Sequence, residues 1–189
     1  LSDDTINQRI CIKLMLLTGR RNGALHGLRW SDVDLKNRIL HVRRNRLVSR
    51  EFGIYEKCPK TKTSIRDNPM PDNLVDDLKK YKEWFRLADE HFDEKQDEYY
   101  LAVGLDRQPL YPHTIAHILT KLEAKYGFKH VSCHGLRHTY CSLLLSQNVP
   151  IQTVSKYLGH SDSTVTLEVY SHFIRDTQDK VIFPLNNIS

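Results

Sequence analysis

Long apolar runs are what this sequence most plainly lacks. The longest, such as Leu143-Leu144-Leu145, are short and sit inside amphipathic patterns, far from the roughly 18 to 20 residues needed to span a bilayer. The first residues lack the charged, apolar, small-residue order of a signal peptide, so a cytoplasmic location and no membrane partner are expected. Cysteine is sparse and unpatterned. Cys11, Cys58, Cys133 and Cys141 form no C-x-x-C pair and no framework dense enough for a small secreted scaffold, so reduced, mostly packed thiols are expected. No internal repeat, low-complexity tract or interior domain boundary is visible. Disorder is excluded as well, because 40% of the 189 residues are apolar and a chain of this length can bury a true core. The charge excess is small: 28 Lys and Arg against 23 Asp and Glu give +5, which permits a polyanionic partner without requiring one.

Within those limits the pattern predicts an α+β domain, mostly helical with a small antiparallel β-sheet. After Ser2-Asp3-Asp4-Thr5, which suits a helix cap, Ile6, Ile10, Leu14 and Leu17 follow the helical period until Thr18-Gly19. A shorter helix over Asn22 to Leu28 turns Leu25 and Leu28 inward, and Trp30-Ser31-Asp32 opens a turn. Arg38 to Arg43 reads as a strand, with Ile54-Tyr55 and Ser64-Ile65-Arg66 as its partners. Helical spacing returns after Pro71 with Leu74, Leu78, Tyr81 and Phe85, while the charged stretch Ala88 to Glu98 reads as a solvated helix end or loop. Further helices are expected after Pro112, over His134 to Gln147, over Pro150 to Leu158 and over Ser163 to Phe173, divided by Gly127, Asn148-Val149-Pro150 and Gly159. The stretch from Arg175 to Ser189 carries an apolar group, Val181 to Leu185, too short for a domain and suited to an arm.

Taken singly, the polar residues carry little. His134 and Arg137, three apart on a helix, project from one face beside an apolar face of Leu136, Tyr140, Leu143 and Leu144. Helices carry such pairs constantly. His134 and His138 have the spacing of metal ligands, but no acidic or cysteine partner follows at a zinc spacing, so no metal site is expected. Val154 to Thr166, with its central Gly159, also fits a helix-turn-helix DNA reader. Tyr170 is one of nine tyrosines, and by default a helical tyrosine buries its ring and bonds its hydroxyl.

Their order changes the reading. Thr18-Gly19-Arg20-Arg21-Asn22-Gly23, Pro59-Lys60-Thr61-Lys62, His134-Gly135-Leu136-Arg137-His138-Thr139, Leu158-Gly159-His160 and Tyr170-Ser171-His172 occur as one series. That series resembles the tyrosine recombinases, the phage-integrase family, from about Ser2 to about Phe173. The resemblance implies a catalytic domain over 1–173 with the integrase-like DNA breaking-rejoining fold, and a tail over 174–189 that docks on a neighbouring protomer. It also implies that a helical core-binding domain, absent from this chain, would precede it. The first family arginine falls on Arg21, with Arg20 adjoining. The hairpin lysine falls on Lys60, with Lys62 two residues further, and the remaining family residues fall on His134, Arg137, His160 and Tyr170. One departure is Ala24, where the family usually carries an acidic residue; Asp32 or another nearby acid is a candidate substitute.

The activity so implied is site-specific DNA recombination, with strands cleaved and rejoined through a 3′-phosphotyrosine intermediate to integrate or excise a mobile element. A Xer-like chromosome resolvase and a non-catalytic helix-turn-helix module are the alternatives. In this scheme Tyr170 is the nucleophile, keeping the energy of the broken bond in an ester. A phenol titrates near pH 10, so it needs a base, for which His134 is the candidate, or a cationic surround. Arg21 and Arg137 would clamp the charged phosphate oxygens, His160 would donate a hydrogen bond to them, and Lys60 would protonate the leaving 5′ oxygen. No cofactor or metal is called for. Double-stranded DNA is the expected partner, with Arg43, Arg44, Arg46, Lys62 and Arg66 as phosphate contacts. A tetramer on DNA and an excisionase or DNA-bending protein are further implied partners.

Overall fold

The computed structural model describes residues 6–58, 66–87, 89–96, 99–160, 164, 166, 167 and 171. The chain forms two compact units, Leu1–Tyr140 and Cys141–Ser189.

In the first unit, helix α1 (Ile6–Thr18) presents Ile10, Leu14 and Met15 to the core, following the period read from sequence. A short helix α2 (Asn22–His26) follows, then a 3-10 turn over Trp30–Asp32. Helix α3 (Asp72–Arg86) buries Leu74, Leu78, Tyr81 and Phe85, and Lys13 of α1 pairs with Asp77 on it. Helix α4 (Thr114–Tyr126) ends on the left-handed Gly127. Helix α5 (Cys133–Ser146) is preceded by Ser132, whose hydroxyl accepts the Gly135 N–H at 3.0 Å. Trp30 centres the aromatic core: Phe85 and Phe92 meet it edge-on with ring centroids 5.5 and 5.7 Å away. The buried Tyr81 hydroxyl donates to the Leu101 carbonyl at 2.9 Å.

The strands differ from expectation. Instead of one sheet centred on 38–43 there are two among the described residues. Strand β1 (Val33–Asp34) pairs with β2 (Ile39–Val42), and β2 with β5 (Arg66–Pro69). Strands β3 (Asn45–Ser49) and β4 (Gly53–Lys57) form a separate hairpin, in which Ile54 and Tyr55 oppose Val48 and Leu47. A local turn explains that choice: Ser49 Oγ accepts the Phe52 N–H at 3.0 Å and Gly53 sits at φ +62, so β4 closes on its immediate neighbour at small entropic cost. The charged stretch after α3 is not wholly solvated either, since its Phe92 packs against Trp30, Phe85 and Tyr99. Residues 101–103, unassigned in sequence, are buried and joined to the core by the Arg29–Tyr100 bridge.

In the second unit, Leu143 stands exposed although sequence placed it on the apolar face. Helix α6 (Ile151–Leu158) buries Val154, Ser155 and Leu158 and stops at Gly159, whose left-handed φ of +65 a side chain would disfavour. Thr164, Thr166, Leu167 and Ser171 are helical. The expected caps at Ser2–Thr5 and Ser163, and the tail over 174–189, lie outside the described residues. Among the described residues no helix is long and apolar enough to cross a membrane, and Cys11, Cys58, Cys133 and Cys141 are all free thiols.

Candidate active site

The C-terminal end of α1 organises the site. Gly19, at φ +63, ends the helix with its N–H on the Met15 carbonyl, and the next two arginines diverge. Arg20 is fully buried and its Nε donates to the Thr18 carbonyl at 3.1 Å. Arg21, in extended backbone at the start of α2, is exposed. Of the two adjoining cations, only Arg21 therefore presents its guanidinium to an external anion. Asn68 of β5 also reaches the Thr18 carbonyl, at 3.4 Å, so the strand that follows the Lys60 segment is tied to the same turn.

Arg137 reaches this turn from α5. It is 3% exposed, and its Nη1 donates to the Gly19 carbonyl at 2.6 Å, which brings it beside the backbone leading into Arg21. His134, one turn earlier on α5, is exposed, and its ring meets that of His138 edge-on with centroids 4.3 Å apart. Among the described residues no group of three or more His, Cys, Asp or Glu could hold a metal ion. Burial pushes the neighbouring Cys133 thiol above its ordinary value, which suits packing rather than thiolate chemistry.

Asn22, next to Arg21, donates from its side chain to the Pro112 carbonyl, and Gly23 faces β3 at Leu47 and Arg46. The acidic residue weighed against Ala24 is otherwise employed. Asp32 is fully buried, accepts the Arg29 N–H at 3.0 Å, and lies 3.5 and 3.6 Å from Arg43 and Arg44.

Among the expected phosphate contacts, Arg43 is exposed, whereas Arg44 is half-buried against Asp32. Arg46 donates to the Leu110 carbonyl at 2.7 Å and lies over the Tyr100 ring. Arg66 opens β5. Lys60, Lys62 and Tyr170 lie outside the described residues, as does the side chain of Arg66.

In the second unit His160 follows Gly159, and its backbone N–H donates to the Ser155 carbonyl at 3.1 Å. Its Nδ1 is 2.8 Å from Thr166 Oγ1, and that hydroxyl donates to Ser155 Oγ at 3.1 Å. Neither Ser155 nor Thr166 stood out in the sequence. Both fall within the segment that fits a helix-turn-helix, and only the fold reveals that Thr166 meets the imidazole with Ser155 bonded to it.

Comparison with known proteins bears on family and fold. The model of the phage integrase family matches residues 2–175. A tyrosine recombinase XerC-like protein of Caldanaerobacter subterraneus subsp. tengcongensis is 29% identical over 184 residues, covering 90% of this chain and 47% of that protein. The transposase from transposon Tn916 of Enterococcus faecalis is 28% identical, covering 88% and 42%. The chain thus spans about half the length of these relatives. Among solved structures, XerA recombinase superposes with a TM-score of 0.66 at 27% identity, covering 97% of this chain and 65% of that one. The Tn1549 transposon integrase in complex with circular intermediate DNA gives 0.73 at 24% identity, covering 92% and 58%, a likeness of fold.

Proposed function

Because this chain belongs to the phage integrase family, we propose that residues 1–173 form the catalytic domain of a site-specific DNA recombinase. One observation carries the reading: buried Arg137 bonds the Gly19 carbonyl, two residues before exposed Arg21. Two guanidinium-bearing residues distant in sequence are thereby gathered at one backbone turn.

The proposed chemistry follows from what a phosphodiester needs. Tyr170 Oη attacks the phosphorus, the P–O5′ bond breaks, and a 3′-phosphotyrosine ester holds the strand until another 5′ hydroxyl reverses the step. His134 takes the phenol proton, and Lys60 supplies one to the departing 5′ oxygen, since an alkoxide leaves poorly without it. Arg21 and Arg137 neutralise the non-bridging oxygens as charge builds. Guanidinium suits that work because it stays charged and presents paired donors. His160 adds a further contact to the same phosphate.

Double-stranded DNA is the partner, contacted along its backbone by Arg43, Lys62 and Arg66, while Arg44 and Arg46, engaged with Asp32 and the Leu110 carbonyl, play a supporting part. Strand exchange requires a tetramer on DNA, with the 174–189 tail docking on a neighbour and an excisionase or DNA-bending protein setting direction. The reaction belongs in the cytoplasm, where the DNA is. Integration or excision of a mobile element is the role proposed, with chromosome resolution of the Xer type as the alternative that only the DNA sites separate.

A duplex recovered by selection from a randomised pool, then nicked beside the cleavage point, provides the test. The protein is expected to become covalently attached to the strand bearing the 3′ phosphate, and Tyr170→Phe to give no adduct while still binding the duplex. Retarded mobility without any adduct would return the chain to the helix-turn-helix alternative.

A further inference from the structure

We propose that Thr166, backed by Ser155, is a positioning residue that holds the proton of neutral His160 on Nδ1. Thr166 is fully buried. Its Oγ1 donates to Ser155 Oγ at 3.1 Å and lies 2.8 Å from His160 Nδ1. A hydroxyl has one hydrogen and two lone pairs. With that hydrogen directed to Ser155, Oγ1 accepts from the ring and Nδ1 carries the proton; the reverse relay, Ser155 to Thr166 to a bare Nδ1, fits the same distances and is the outcome that the tautomer measurement below would expose. Ser155 holds the arrangement at both ends: its hydroxyl receives the Thr166 proton, and its carbonyl receives the His160 backbone N–H at 3.1 Å. In the proposed arrangement the imidazole is held in tautomer as well as in place, by groups belonging to α6 and to the helical residues after Gly159.

The consequence falls on Nε2, and it rests on the strand-transfer reading above. A neutral His160 with its proton on Nδ1 offers Nε2 as an acceptor, which repels a phosphate oxygen. Only the imidazolium donates from Nε2, so His160 meets the phosphate as a cation. It supplies a positive charge rather than a neutral hydrogen bond.

Long-range proton–nitrogen NMR on the whole chain with 15N-labelled histidine tests this, the His160 signals being assigned with His160→Gln. At a pH where the ring is neutral, wild type and Thr166→Ser are expected to show a protonated Nδ1 and a bare Nε2. Thr166→Val, equal in shape but lacking the oxygen, should move the proton toward Nε2 and slow adduct formation about tenfold, with Thr166→Ser within about twofold of wild type. Ser155→Ala provides a second route, because it releases the Thr166 hydrogen to the ring and should give a mixed tautomer. A wild-type ring protonated on Nε2 overturns the proposal, and so does a Thr166→Val ring or adduct rate identical to wild type. If the tautomers behave as stated but no variant forms a Tyr170-dependent adduct, the positioning stands and the strand-transfer reading falls.

Discussion

His26, the last residue of α2, is fully buried, with Nδ1 2.9 Å from the Asn22 carbonyl. Burial holds its pKa below the ordinary 6.5, and the charges of Arg46 and His113 push the same way against the hydrogen bond to Asn22. As pH falls, the unfolded chain therefore takes up the proton first. Stability is intact above about pH 6.5 and is lost as pH drops from there toward the folded-state value. Melting temperatures measured from about pH 7.5 to about pH 5 should fall in wild type, and fall less in His26→Asn, which removes the titration but keeps a short donor. The equivalent residue-scale choice at the site, Arg21 facing outward and Arg20 inward, was half legible. The motif order singled out Arg21, but nothing in two adjacent arginines says which one the Thr18 carbonyl will capture.

At the scale of elements, backbone approach rather than side-chain chemistry limits what can change. A Cβ on Gly27 would lie 2.9 Å from the Arg44 carbonyl oxygen, against backbone leading into β3, whereas one on Gly127 would meet open space and suffer only the left-handed φ of +69. Gly27→Ala is expected to destabilise by about 1 to 3 kcal/mol through this overpacking, and Gly127→Ala by about 1 kcal/mol. Denaturant midpoints would rank them, and an equal pair would show that β3 shifts at little cost. Helices α1, α3, α4, α5 and α6 could be read from the sequence because each shows a repeating apolar stripe and most end at glycine or proline. The β3–β4 hairpin could not, because every residue of β3 is half-buried and four of five in β4 are exposed, which removes the inside-outside alternation that marks a strand.

For the whole molecule, the relevant quantity is charge shared with a polyanion. If DNA is the partner, as proposed, affinity should fall steeply with salt, by roughly one unit of log–log slope per phosphate contact. Arg43→Ala should lower that slope by about one while leaving stability near wild type, because the residue is exposed and its link to Asp32 is long. Arg46→Ala should act mainly on stability, through loss of its bond to the Leu110 carbonyl. Binding isotherms at several salt concentrations, with melting curves for both variants, separate the two effects.

Helical period, glycine stops and the ordered motif series are properties of neighbouring positions, and they were enough to reach the α+β class, the family and the position of Arg21 within its motif. Folding alone decided that Arg137 would meet the Gly19 carbonyl across 118 positions. Only folding could turn Arg20 into the core, split one expected sheet into two, and set Thr166, bonded to Ser155, against the ring of His160. Those outcomes depend on carbonyls and hydroxyls brought together from separate elements, where burial makes each unpaired polar group costly, and no local pattern records which distant partner will satisfy it.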